Sequence, residues 1–331
     1  MNYSSQKIYI LCIANLRSGG PEALHQLRYY MEQVGLDAYL VYYKTTDGLD
    51  PMPVEYTTYG IKRKLLKEIE DNENNILISA ESGTIMFNGF KHIQKYIWWL
   101  SVNWFDYKPL TSKIILKHKI YKLFGKETNI STYCNFRLED CVHVCGSKYA
   151  YEYVIRLGLK AEYLVEPISK VFLENNNQSD CERNDIILYN PAKPSDIMTK
   201  LLAEKRFQFK PLTKMTTVEL IEAYKQAKLY IDFGHFGGPE RMPKEAVYFG
   251  CCILVGRRNA AVNDFDVAIP EQYKIEDYNN IEIINSRIED ILQNYNAYRN
   301  DFIPFQMKIS SLEYNFMKQI KKLFINPNSL I

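Results

Sequence analysis

The stretch Asp232 to Glu245, DFGHFGGPERMPKE, gathers more chemistry-bearing side chains than any other part of the chain. It reads as a strand end, a glycine-rich turn and a helix start, with His235, Gly237, Gly238, Glu240, Arg241, Lys244 and Glu245 in sequence. Basic side chains beside the free N–H groups of a helix start form a cradle for an anion, and carboxylates can accept hydrogen bonds from the hydroxyls of a sugar or ribose. A plain structural loop is the alternative, and the density of polar groups favours a site. A second candidate is Asn190 to Pro194, NPAKP, where Lys193 would present a point charge at the carboxyl end of a strand, suited to a diphosphate. Read without function, it is an exposed surface lysine. The third is Asn15 to Pro21, NLRSGGP, in which Gly19 and Gly20 let a phosphate or an acceptor approach the backbone where a helix opens. Its spacing matches neither the dinucleotide fingerprint nor a Walker loop, and an ordinary helix start explains it equally well.

Other constellations are weaker. Cys141, His143 and Cys145 alternate along a strand and share a face, which is not the spacing of a zinc site and suits buried thiols better. Asp264 and Asp266 form a D-x-D, yet no further oxygen ligands stand nearby in sequence, so the expectation is no metal and no cofactor. His25 lies on the first helix and receives no base role without geometry.

These loops need elements to hold them. In 331 residues, 47% hydrophobic and 24% charged, there is room for two folded domains. Strand and helix periodicities alternate: strand Lys7–Ala14, helix Pro21–Val34, strand Ala38–Tyr43, a helix at about Ile61–Glu70, strands Ile76–Ser79 and Ile93–Ser101, helix Ser112–Phe124, strand Val142–Cys145 and helix Lys148–Leu157. The alternation lapses between Glu166 and Asn184, then resumes from Asp185 to Val255, and the tail from Tyr278 to Phe324 is helical. The expected fold class is α/β, two doubly wound Rossmann-like domains with C-terminal helices packing across both. The expected bounds are 1–166 for a first Rossmann-like domain, 167–184 for a linker, 185–300 for a second Rossmann-like domain, and 301–331 for a helical segment returning to the first.

The GGP turn opening the first helix and the run TTVELIEAYKQAKLYIDFGHFGGPERMPKEAVYFGCCILVG resemble nucleotide-sugar glycosyltransferases of the GT-B fold, closest to the family 4-type retaining group. The similarity spans nearly the whole chain, and the second-domain run carries its specificity. Glu245, in PKEAVYFGC, matches the later of the group's two glutamates. The earlier one normally stands eight positions before, which here is Gly237, whereas Glu240 stands five before; this marks a divergent branch. The resemblance implies a hexosyltransferase-type enzyme, retaining and metal-independent, moving a sugar from a nucleotide sugar to a glycan or lipid-linked acceptor in bacterial-type surface polysaccharide assembly. It implies Lys193, Glu240 and Arg241 as the residues of catalysis, with Lys193 on the donor diphosphate. Asn190, His235, Gly237, Gly238, Lys244 and Glu245 would bind the donor, in a cleft between the domains.

The formal charge of +2 argues against a nucleic-acid partner, but it is unevenly spread. From Lys91 to Lys126 the chain carries +7 and elsewhere −5. Lys119, Lys122 and Lys126 mark a basic helix face, Leu116, Ile120, Leu123 and Phe124 an apolar one, and Trp98, Trp99 and Trp104 precede them. Such a helix suits an anionic membrane surface. A solvated basic face over ordinary core aromatics is the other reading. No apolar run is long enough to span a bilayer, the amino terminus reads as a strand rather than a signal peptide, and seven cysteines without a framework suit reduced thiols. The expected address is cytoplasmic, peripheral at the inner face of the membrane. Two rivals stand beside the transferase: a nucleotide-sugar epimerase of the same fold, and a non-catalytic sugar- or nucleotide-binding protein.

Overall fold

The computed structural model describes residues 6–125, 129–175, 182–238 and 240–325. The chain divides into two compact units, one of Met1–Gly146, Ala150–Leu164 and Met317–Ile331, the other of Ser147–Tyr149 and Val165–Phe316.

The first unit is built on β1 (Lys7–Ile13), α1 (Gly19–Gln33), β2 (Asp37–Tyr43), β3 (Arg63–Lys64), β4 (Ile76–Ala80), β5 (Gln94–Trp99), α2 (Ser112–Leu123), β6 (Val142–Cys145), α3 (Lys148–Arg156) and β7 (Glu162–Tyr163). All strand pairs are parallel, in the order β3-β2-β1-β4-β5-β6-β7. β1 is an inner strand, and Ile8, Tyr9, Ile10 and Leu11 are buried on both faces, as a helix-covered parallel strand requires. In α1 the residues Leu24, Leu27 and Met31 recur at helical spacing and are buried. Gly35, at φ 83°, ends it in a conformation that only glycine adopts cheaply.

The expected helix at 61–70 is not formed. Arg63 and Lys64 instead pair with Leu40 and Val41 as an edge strand, and a single 3-10 turn follows at Leu66–Glu68, with the Glu68 carboxylate accepting from Leu65 N at 2.6 Å. Of its apolar residues Ile69 is buried while Ile61, Leu65 and Leu66 are exposed, too little of a shared face to hold a helix against the sheet. Trp98 and Trp99 are core residues and do not flank a surface helix. Each indole N–H has a partner, Leu164 O at 2.8 Å and His143 Nδ1 at 3.0 Å.

The second unit contains α4 (Lys170–Glu174), β8 (Asn184–Tyr189), α5 (Asp196–Glu204), β9 (Gln208–Pro211), α6 (Thr217–Gln226), β10 (Ala227–Asp232), α7 (Arg241–Tyr248), β11 (Cys252–Gly256), β12 (Lys274–Ile275), α8 (Ile281–Gln293), α9 (Tyr295–Tyr298) and α10 (Ile303–Phe324). Its sheet is also parallel, in the order β12-β11-β10-β8-β9. Side-chain caps start the helices where the sequence puts hydroxyls and amides: Ser195 accepts from Met198 N, Thr216 closes a capping box with Glu219, and Asn280 accepts from Ile283 N. The last residues of α10 count with the first unit, where Phe324 packs on Tyr96. In both sheets the strand order reverses once, between β1 and β4 and between β8 and β10. The loops leaving those strands therefore diverge and open a crevice at the carboxyl edge.

Candidate active site

In the second unit the crevice lies between the loop after β8, which carries Lys193, and the loop after β10, which begins at Phe233. The first is turned by Asn190, whose side chain accepts from Ala192 N at 3.0 Å. This aims Lys193 across the crevice. Its ammonium forms an ion pair with Glu240, lies 3.8 Å from Asp232 Oδ2 and donates to His235 O at 3.2 Å. It also sits 5.3 Å from the centre of the Phe236 ring. Asp232, at the end of β10, accepts from Gly234 N at 2.8 Å and from the Tyr230 hydroxyl at 3.3 Å. Burial pushes the carboxyls of Asp232 and Glu240 above their ordinary range, and the Lys193 charge opposes the shift.

Gly234 is fixed by this crowding. A Cβ there would stand 2.7 Å from Lys193 Cβ and 3.0 Å from Asp232 Oδ1. A second cation was missed by sequence reasoning. Arg258, just beyond β11, donates from Nε to Gly234 O at 2.9 Å and stacks its guanidinium 4.8 Å from the centre of the Tyr278 ring. The available signal was its position after a strand of the same sheet, the criterion that had singled out Lys193. Asp232 lay in the chosen stretch but was given no role.

Of the remaining expected residues, His235 is exposed at the loop tip, while Gly237 and Gly238 are buried beneath it. Arg241 and Lys244 group with Glu166. Lys244 Nζ is 3.7 Å from Glu166 Oε1, both side chains are buried, and burial raises the Glu166 carboxyl while the charges of Lys244 and Arg241 pull it back. Glu245 is buried too, and its Oε2 accepts from the Tyr224 hydroxyl at 3.1 Å. The structure thus brings Asn190, Lys193, His235 and Glu240 together at one crevice and sets Lys244 and Glu245 inward on α7.

At the first unit's crevice, Gly19 and Gly20 are the opening residues of α1 rather than a separate turn, with Ser18 as N-cap and its N–H bonded to the Tyr56 hydroxyl at 2.9 Å. A Cβ on Gly20 would make only an ordinary 4.0 Å contact with Leu100. His25 is fully buried, with Nδ1 at 2.7 Å from Pro21 O and Nε2 at 2.8 Å from the Tyr42 hydroxyl, so it serves the core. Glu81, at the end of β4, carries the edge's unforeseen carboxyl. It is buried, accepts from Leu100 N at 2.9 Å, and desolvation raises it to about 7.

The D-x-D residues have structural partners: Asp266 accepts from Lys148 N at 2.8 Å and Tyr149 N at 3.0 Å, and Asp264 pairs with Lys274 at 2.6 Å. His143 Nδ1 accepts from Trp99 Nε1 at 3.0 Å and its Nε2 lies 2.9 Å from Leu138 O, among buried thiols. Among the described residues no cluster of histidine, cysteine and carboxylate side chains has a metal-binding arrangement.

No protein-family model matches the chain, and no curated protein matches it. Solved structures do. The chain is similar to T4 phage BGT in complex with its UDP-glucose substrate, at 11% identity and TM-score 0.55 over 96% of this chain and 98% of that one. It is similar to sucrose-phosphate synthase from Thermosynechococcus elongatus, at 11% identity and TM-score 0.60 over 98% and 100%. A third likeness is to the glycotransferase of kitacinnamycin, at 8% identity and TM-score 0.51 over 96% and 98%. Together with two parallel, order-reversing sheets, these likenesses show the fold of the chain: α/β, of the GT-B kind.

Proposed function

We propose that the protein is a glycosyltransferase that binds a nucleotide sugar at the crevice of its second unit and passes the sugar to a glycan or lipid-linked acceptor. The observation carrying this reading is the meeting of Lys193, Asp232, Glu240 and Arg258 across the β8/β10 crevice. Support also comes from the fold, since one similar structure holds UDP-glucose.

The chemistry follows from the charges. Cleaving the bond between an anomeric carbon and a nucleoside diphosphate builds negative charge on the leaving phosphate, and fixed cations stabilise that transition state more than the ground state. Lys193 is the ammonium within reach of such a group. Without ligand it is neutralised by Glu240 and Asp232, so the diphosphate enters by exchanging with a carboxylate. Arg258 holds the Gly234 carbonyl and with it the shape of the loop. In this reading Glu240 accepts from a sugar hydroxyl once displaced, and Glu245 orders α7 through Tyr224. Gly19 and Gly20, at the crevice of the first unit, serve the acceptor. Retention of configuration, the family 4-type affiliation and surface polysaccharide assembly belong to this proposal through the resemblance of the second-unit run.

The test is a thermal-shift panel of nucleotide sugars and nucleoside diphosphates, followed by transfer assays with glycan, lipid-linked and duplex DNA acceptors. The DNA arm is warranted because one similar structure is a DNA-modifying β-glucosyltransferase. A selective shift abolished by Lys193→Ala, with transfer to a glycan or glycolipid, supports the reading. Binding without transfer favours the non-catalytic rival, and acceptor-free interconversion of the donor sugar favours the epimerase.

A further inference from the structure

α2 packs on its own unit through one narrow side only. Ile114, His118 and Tyr121, three and four residues apart, are its half-buried residues, and none of the helix is fully buried. Successive residues of a helix turn about 100°, so the opposite side is occupied by Leu116, Ile120 and Leu123. These point away from the body, at 59%, 44% and 83% exposure, and Phe124 just beyond the helix is 72% exposed. Lysines border this outward apolar stripe on both flanks, Lys119 and Lys122 on one and Lys113 and Lys117 on the other, and no acid lies in the helix. The sequence placed Lys119, Lys122 and Lys126 on a basic face; Lys126 lies outside the described residues. Upstream in the same connection, Trp104 is 72% exposed.

A soluble surface helix turns leucines inward and lysines outward; here an apolar stripe points outward between two rows of cations. We infer that α2 is a docking surface for an anionic lipid bilayer, lying in the interface plane with Leu116, Ile120, Leu123 and Phe124 at the acyl boundary and the lysines among the headgroups. The two flanking rows suit this occupant, because lysine stems reach up from a buried stripe to the headgroup level. A second copy of the chain fits poorly, since apposed lysine rows repel and lysine is depleted from protein interfaces. A nucleic acid would use the lysines and leave the leucines in water. Among the described residues no helix is long and apolar enough to cross a membrane. The inference does not depend on the catalytic reading.

The test is sedimentation of the full chain with vesicles of phosphatidylcholine alone or with about one third phosphatidylglycerol. Expected is binding to the anionic vesicles that falls by about tenfold or more in the double variant Leu116→Asp/Leu123→Asp, and again in Lys119→Glu/Lys122→Glu or at high salt. Both variants alter exposed positions, and unchanged circular dichroism confirms that the fold is kept. Equal sedimentation of parent and variants overturns the inference. So does preferential binding to duplex DNA, or a dimer in sedimentation velocity that the leucine variant dissolves.

Discussion

The Lys193 ammonium stands 3.8 Å from Asp232 Oδ2, joining the loop after β8 to the end of β10 across the point where the sheet order reverses. One cation therefore answers two recessed carboxylates, Asp232 and Glu240. Any anion entering the crevice competes with charges that the chain itself supplies.

Two substitutions separate these roles. Lys193→Ala is expected to weaken nucleoside diphosphate binding by about tenfold or more. Glu240→Gln takes a competing charge from the ammonium, so the bare diphosphate should bind about threefold tighter while transfer slows. Calorimetric titration alongside a transfer assay reads both, and a loss of diphosphate affinity in Glu240→Gln would contradict the exchange model.

Gly234 has no room for a methyl group, since its Cβ would meet Lys193 Cβ at 2.7 Å, an atom next to the backbone with little freedom to yield. Gly234→Ala is expected to destabilise the protein by about 1–3 kcal/mol in urea unfolding and to weaken donor binding as well. Unchanged values in both would mean the loop is looser than its contacts.

Glu81 gives a pH signature. Its carboxyl is raised from 4.5 to about 7 by burial, so the folded state holds the proton more tightly than the unfolded chain. Stability from this group is full below about pH 4.5, declines as pH rises through about 7, and is then lost, a difference of about 3 kcal/mol. Glu81→Gln can still accept from Leu100 N. It should therefore exceed the parent in stability at about pH 8 and lose that advantage at about pH 5, as urea unfolding at the two values would show.

Asp266 receives the N–H groups of Lys148 and Tyr149 at a buried site. Asp266→Ala is expected to cost about 1–2 kcal/mol of unfolding free energy, while leaving the response of transfer to added divalent cations as in the parent. A changed cation response would restore the metal reading of the D-x-D.

The alternation of strand and helix was legible because buried parallel strands such as Lys7–Ile13 and Cys252–Gly256 leave unbroken apolar runs, and caps such as Ser195 and Thr216 announce helices. What misled was periodicity without a surface to pack on. Residues 61–70 carry a helical pattern, but edge pairing of Arg63 and Lys64 claimed the backbone first. In the crevice, Lys193 and Glu240 stood out by type and position. Arg258 shared the positional signal of Lys193, but its bond to Gly234 O, 24 residues upstream, was not legible, and Glu81 gave no signal because its partner Leu100 is distant in sequence. The inward turn of Lys244 was likewise illegible, since its partner Glu166 lies far upstream.

All three tryptophans belong to the first unit, two sealed in its sheet and one in water. Indole emission from the native chain is therefore a private signal of that unit, blind to the second, whose aromatic residues are tyrosines and phenylalanines. Following unfolding by indole emission and by far-ultraviolet dichroism measures one half against the whole. Coincident transitions mean that the halves melt as one, and separated transitions assign the emission step to the first unit without any labelling.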